Sequence, residues 1–179
     1  MSDFTIRPAT LADIPAIADI YAAEVHEGTA TFELTPPDAA EMAKRFSDIA
    51  GKNFPYLIAE HNGRIAGYAY AASYRARPAY RFTVENSIYL DRAHQRQGIG
   101  SALLTELIAR CERLGFRQMI AVIGDSANAG SVALHTRAGF AMIGTLPDVG
   151  FKFGRWLDSV LMQRALGKGS GTIPAEGGI

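Results

Sequence analysis

Two β-prone runs near the middle of the chain, Tyr56-Leu57-Ile58-Ala59-Glu60 and Arg64-Ile65-Ala66-Gly67-Tyr68-Ala69-Tyr70-Ala71, are joined through Asn62-Gly63. Asn and Gly accept the positive φ of a tight hairpin turn, so the pattern predicts an antiparallel pair. Such a pair excludes a purely parallel sheet wound by strict alternation of strand and helix. The flanking segments supply the rest. Phe4 to Arg7 predicts a short first strand, and Thr10-Leu11-Ala12-Asp13 resembles a capping box with Asp13 in place of the usual Glu. The helix it opens carries Ile14, Ile17, Ala18, Tyr21 and Val25 on one face. Thr35-Pro36-Pro37-Asp38 opens a second helix reaching about Ile49, because proline is tolerated in a first turn and acidic side chains suit a helix N-terminus.

Phe82 to Leu90 predicts a further strand with Val84, Ile88 and Leu90 on one alternating face. Gln118 to Ile123 is near-continuously apolar, the pattern of a strand covered on both faces. Asn128 to Arg137 predicts a short helix ended by Gly139, with Phe140 to Gly144 and Trp156 to Arg164 as closing strands. With a helix from Gly98 to about Leu114, the order is β-α-α-β-β-β-α-β-α-β-β. That order implies an α/β (α+β) chain with a mixed central sheet and helices on its faces.

At 179 residues the chain predicts one domain. It is expected to span residues 1–166. From Gly167 onward GKGSGTIPAEGGI is rich in Gly and Ser, and residues 167–179 are expected to form a flexible tail. Eighteen basic and eighteen acidic side chains cancel, which removes any global electrostatic reason to expect nucleic acid or an anionic membrane as partner. No apolar run approaches the roughly 20 residues needed to span a bilayer, and Met1-Ser2-Asp3-Phe4-Thr5 lacks a signal-peptide pattern. A cytoplasmic protein is expected. The single cysteine, Cys111, excludes an intramolecular disulfide and a Cys-based zinc cluster, and its helical setting predicts a buried structural thiol; no metal is expected.

The segment His94-Gln95-Arg96-Gln97-Gly98-Ile99-Gly100-Ser101 lies between an apolar strand and an amphipathic helix with Ile99, Leu103, Leu107 and Cys111 at four-residue steps. Its glycines therefore fall at a helix N-terminus, where the first amides lack intrahelical partners and the dipole leaves partial positive charge. A phosphate could approach the amides of Gln97 to Ser101, with Arg96 as a cation at the rim. The spacing does not fit a Walker A loop, since no Lys follows either glycine, nor a dinucleotide fingerprint, since Leu103 stands where a third glycine belongs. The plainer alternative is a tight strand-to-helix turn with no ligand.

Gln95-x-x-Gly98-x-Gly100, followed by Asn128-x-x-Ser131-x-x-x-His135-x-x-x-Gly139-Phe140, resembles the GCN5-related N-acetyltransferase (GNAT) superfamily. Thr83-Val84-Glu85-Asn86-Ser87-Ile88-Tyr89, Ala121-Val122-Ile123-Gly124 and Gly150-Phe151-Lys152-x-Gly154-x-Trp156-x-Asp158 are similar to its phosphinothricin and methionine sulfoximine acetyltransferase branch. The resemblance implies the GNAT fold, with a splayed strand pair at the cofactor, and acetyl-CoA as co-substrate. Its pyrophosphate would lie on Arg96, Gln97, Gly98, Ile99, Gly100 and Ser101. Backbone groups of Ile88, Tyr89 and Leu90 would pair with the pantetheine amides, which Asn128 and Ser131 would also approach.

For the chemistry, the resemblance implies Glu85 as general base for the acceptor ammonium. His135 is left open between a proton donor or base partner and a packing residue. Arg75 and Arg77 supply guanidinium forks suited to a carboxylate or phosphinate, with Phe32, Tyr80, Glu85, Asn86 and Ser87 as cleft walls. Lys152 and Trp156 resemble the branch's element that packs near a partner subunit's acceptor site, so a homodimer is expected. The leading expectation is direct ternary-complex transfer to the α-amine of small amino-acid analogues such as methionine sulfoximine, methionine sulfone or phosphinothricin. Acetylation of a protein N-terminus or lysine, and a non-catalytic acyl-CoA sensor, stand as the alternatives.

Overall fold

The computed structural model describes residues 4–174. The elements in chain order are β1 (Phe4–Pro8), α1 (Ile14–Glu27), α2 (Ala39–Ala50), β2 (Tyr56–His61), β3 (Arg64–Ser73), β4 (Thr83–Leu90), α3 (Ile99–Arg113), β5 (Gln118–Gly124), α4 (Ala129–Arg137), β6 (Ala141–Lys152) and β7 (Arg155–Ala165). The strands form one seven-stranded sheet in the order β1-β2-β3-β4-β5-β7-β6. Every neighbouring pair is antiparallel except β4 and β5. The central hairpin is as the sequence predicts: Asn62 and Gly63 take φ of 51° and 72° and connect β2 to β3. At the N-terminus the Asp13 carboxylate accepts from the Thr10 amide at 2.7 Å, so the cap forms on a short 3-10 turn ahead of α1.

Two apolar clusters flank the sheet. On one face α3 buries Leu103, Leu104, Leu107 and Cys111 against Leu57, Ala69, Ala71, Val84 and Met119, and α4 adds Val132 and Leu134. On the other, Ile14, Ile17, Tyr21 and Val25 of α1 and Met42 and Phe46 of α2 pack on Tyr56, Ile58 and Tyr68. This is the helix-on-both-faces arrangement that the periodicity demands, since each amphipathic helix needs an apolar surface to cover. Cys111 is fully buried, and burial pushes its thiol up to about 12, which leaves it unreactive.

Two sequence expectations need correction. β5 is not covered on both faces: Met119, Ala121 and Ile123 point into the core, but Val122 is 39% exposed, because α1 and α2 stop short of that part of the sheet. The closing strands are also longer than the pattern suggests. β6 runs to Lys152 with register breaks at Met142/Gly144 and Leu146/Gly150, and Pro147 and Asp148 within it disguise the strand. The tail expectation falls partly outside the described residues. Up to residue 174 the chain turns back, and Arg117 donates to the Gly169 carbonyl at 3.3 Å and to Thr172 Oγ1 at 3.0 Å.

Candidate active site

β4 and β5 pair from Thr83↔Gln118 to Asn86↔Ala121 and then part, although β4 continues to Leu90 and β5 to Gly124. On its other edge β4 stays paired with β3 through Leu90. Main-chain groups of residues 87–90 that face β5 therefore have no partner within the sheet and are available to a ligand. A cavity of about 820 Å³ opens from this gap, lined by Ile88, Tyr89 and Leu90 on one side and by Asn128 and Ser131 on the other. It reaches the start of α3, where Arg96, Gly98, Gly100 and Ser101 line it. A narrow crevice of about 40 Å³ continues between the parted strands toward Asn86 and His135.

The helix start leaves main-chain donors free. Gly98 caps α3 at φ 82°, and the first intrahelical bond is Ala102 N to Gly98 O, so the amides of Ile99, Gly100 and Ser101 have no intrahelical acceptor. Gly98 is exposed and Gly100 is buried, where an added Cβ would sit 3.2 Å from Leu90 Cδ1. The side chain of Ile99 is buried in the core, so only its amide faces a ligand. Gln97 spends its side-chain NH₂ on the Ala93 carbonyl at 3.0 Å and so holds the loop rather than reaching outward. Arg96, at φ 59°, lies at the rim.

On α4, Asn128 Oδ1 accepts from the Ser131 amide at 3.1 Å, so Asn128 is the helix cap while lining the cavity. His135 is 2% exposed, and its two nitrogens are both committed. Nδ1 lies 2.8 Å from the Ser131 carbonyl oxygen, which can only accept, so Nδ1 carries the hydrogen. Nε2 then accepts from Asn86 Nδ2 at 3.2 Å. Burial lowers its pKa and favours the neutral ring. The geometry suits a residue that fixes α4 to β4 at the point where the strands part; the one ring proton is already spent.

Glu85 lies on the opposite face of β4, with Ser87 and Tyr89, across from Ala72, Tyr70 and Tyr68 of β3. It is half-buried and lines neither the cavity nor the crevice, so an acceptor would meet it from the α1–α2 side. Burial raises its pKa above the ordinary carboxylate range and makes it a stronger base than a solvated Glu. Tyr70, which the sequence reading missed, sits beside it: burial raises the Tyr70 pKa, the neighbouring Ser87 hydroxyl opposes the rise, and the charges of Glu85 and Glu33 add to it. Its alternation with Tyr68 along the second hairpin run, which sets both rings on one face, was the available signal.

The loop before β4 brings Arg75, Arg77 and Tyr80 to the Glu85 end of the strand, all at the surface. Arg75 stacks over Tyr74 at 5.1 Å and Tyr80 at 6.0 Å. Arg77 precedes the Pro78–Tyr80 turn and makes no ion pair among the described residues. Phe32 lies against Gly124 and Gly150. Two residues differ from their expected placement. Asn86 points to the α4 face, away from Glu85, and is 5% exposed. Lys152 is buried within its own chain, donating to the carbonyls of Gly28 at 2.8 Å and Thr31 at 2.9 Å, so its amine is not presented to a substrate or partner. Trp156 is 61% exposed and touches Phe151 edge-on at 5.2 Å, on the outer β6–β7 hairpin.

Comparison with known proteins gives this geometry a context. The acetyltransferase (GNAT) domain matches residues 6–161. The chain is 51% identical over 170 residues to phosphinothricin N-acetyltransferase of Alcaligenes faecalis, covering 95% of this chain and 86% of that protein. It is 41% identical over 160 residues to L-methionine sulfoximine/L-methionine sulfone acetyltransferase of Pseudomonas aeruginosa, covering 89% and 92%. A GNAT phosphinothricin acetyltransferase from Sinorhizobium meliloti, crystallised with acetyl-CoA, superposes with a TM-score of 0.95 at 52% identity, covering 99% of this chain and 95% of that one. A parted strand pair beside a glycine cradle is thus found in a chain that such relatives match almost end to end, and the protein belongs to the GNAT family as an acetyltransferase.

Proposed function

We propose that this acetyltransferase moves the acetyl group of acetyl-CoA to the α-amine of small amino-acid analogues with an oxidised tetrahedral sulfur or phosphorus centre. Methionine sulfoximine, methionine sulfone and phosphinothricin are of this kind. The observation that carries the reading is the placement of Glu85 on the strand whose free edge, two to five residues further on, borders the cofactor cavity. The cradle fits the co-substrate: the free amides of Ile99, Gly100 and Ser101 and the Arg96 guanidinium suit a diphosphate, and the unpaired edge of residues 88–90 suits the amides of the pantetheine arm. Glu85 takes a proton from the acceptor ammonium, main-chain amides on the β4 edge donate to the thioester carbonyl oxygen, and the neutral amine attacks the carbonyl carbon; the C–S bond then breaks, and the CoA thiolate leaves as the free thiol by taking up the proton that the new amide nitrogen loses. Arg75 and Arg77 hold the acceptor's anionic groups, with Phe32, Tyr80 and Ser87 around it.

An acceptor panel followed by release of free thiol tests the reading. Free methionine sulfoximine, methionine sulfone and phosphinothricin are expected to be turned over at least tenfold more efficiently than peptides bearing N-terminal or lysine amines. Preference for the peptides would favour protein acetylation, and acetyl-CoA binding without transfer to any amine would favour a sensor.

The reading includes a homodimer. Met142, Ile143, Leu146, Val149, Phe151 and Trp156 form an exposed apolar surface along β6 and β7, of the sort that marks an interface. Sedimentation equilibrium is expected to give a dimer that Trp156→Glu weakens at least tenfold; a monomer at every concentration would remove it. The reading also includes a cytoplasmic setting with no nucleic-acid or membrane partner. Among the described residues no helix is long and apolar enough to cross a membrane.

A further inference from the structure

The loop from α1 to α2 is fastened by side chains from several elements. Besides accepting twice from Lys152 of β6 through the carbonyls of Gly28 and Thr31, it gives the Ala30 amide to Glu24 Oε1 of α1 at 2.9 Å. Tyr21 of α1 shares a buried hydrogen bond of 2.8 Å with Thr31 Oγ1. Further along, the Phe32 ring occupies a slot left open by two glycines. A Cβ on Gly150 would overlap the ring, and one on Gly124 would strike the Thr29 carbonyl and come within 3.0 Å of the ring.

Few surface connections receive a buried ammonium, because desolvating a charge is costly unless it is hydrogen-bonded. The segment held this way borders both halves of the site: its start lines the cofactor cavity and its end lies toward Glu85. Gly28, Thr29 and Ala30 line the cavity, Ala30 also lines the crevice, and Glu33 lies close enough to act on Tyr70 beside Glu85.

We infer that Lys152 is a positioning residue. Its ammonium fixes the 28–33 loop, and together with the Gly124/Gly150 slot for Phe32 it sets the gap between the acceptor wall and Glu85, and so the size of acceptor accepted. This inference rests on the acceptor reading above. The substitution Lys152→Met keeps the aliphatic stem and removes the charge. It is expected to raise the acceptor KM by roughly 10- to 100-fold, the scale of one lost charged hydrogen bond, while kcat stays within about threefold and the acetyl-CoA Kd rises clearly less than the acceptor KM, because only the start of the loop borders the cofactor cavity. Hydrogen exchange at the Ala30 amide should quicken by at least about tenfold as the loop loosens.

Gly150→Ala leaves Lys152 in place but expels the Phe32 ring. It is expected to shift the ratio of kcat/KM between small and bulky acceptors by about tenfold. A folded Lys152→Met with an unchanged acceptor KM overturns the proposal, as does an equal loss of acetyl-CoA affinity, which would signal general damage. If Lys152→Met does not fold, an unaltered acceptor ratio in Gly150→Ala overturns it. If the wild-type chain acetylates none of the analogues, the acceptor reading fails instead. The Ala30 exchange then decides the fastening alone, and unchanged exchange overturns it.

Discussion

Glu85→Gln is expected to lower kcat by ~10²–10⁴, about 3–5 kcal/mol of barrier, with the acetyl-CoA Kd held within about threefold. The two parts of the expectation come from separate faces of one strand. Glu85 lines neither the cofactor cavity nor the crevice, so removing its charge leaves the cradle intact. Its half-buried position raises its pKa, so the acid limb of kcat/KM is expected above the ordinary Glu value of ~4.3. Activity should climb as pH rises through that limb, because the base must be deprotonated to accept the ammonium proton. In Glu85→Gln the limb should be gone. Steady-state rates across pH, with calorimetry for acetyl-CoA, check both parts; turnover equal to wild type would remove Glu85 from the chemistry.

The second large effect is expected at the cradle. Gly100→Val should weaken acetyl-CoA by ~10²-fold or more, since a misplaced diphosphate loses several charge-assisted bonds of ~1.5–3 kcal/mol each. A Cβ at this position already lies 3.2 Å from Leu90 Cδ1 and 3.6 Å from Leu134 Cδ2, so the methyls of valine must push β4, α4 or the ligand aside. Gly98→Ala should cost less, about tenfold. There the space is open, and only the φ of 82° resists a side chain. Binding calorimetry together with the melting temperature separates lost affinity from lost fold. Wild-type affinity in a folded Gly100→Val would disprove the cradle.

The parts of the fold that were legible in the sequence were those with a local physical cause. Asn62-Gly63 specified the central hairpin, and the glycines before Leu103 marked a helix start open to anions. The opening of β5 to solvent at Val122 was not legible, because apolar continuity cannot say how far neighbouring helices extend. Asn86 was legible in principle: it shares parity with Val84 and Ile88, and strand alternation alone sets it on the face opposite Glu85. Lys152 was not. Its carbonyl acceptors lie more than a hundred residues away, and nothing in Gly-Phe-Lys predicts a buried amine. The same holds for the Phe32 slot, which needs Gly124 and Gly150 brought together from two strands.

The parallel contact between β4 and β5 has a mechanical consequence. Among the described residues four pairs, Thr83 to Asn86 against Gln118 to Ala121, form the strand ladder between the leaf made by β1–β4 and the leaf made by β5–β7. Beyond Asn86 the book stands ajar. A thioester arm lying along the gap would serve as the missing rungs of the spine, tying the leaves together at the end where the protein leaves them apart. Loading at a hundred times Kd would then add about 2.7 kcal/mol to the resistance against unfolding, and the scaffold would be stiffest when it is armed.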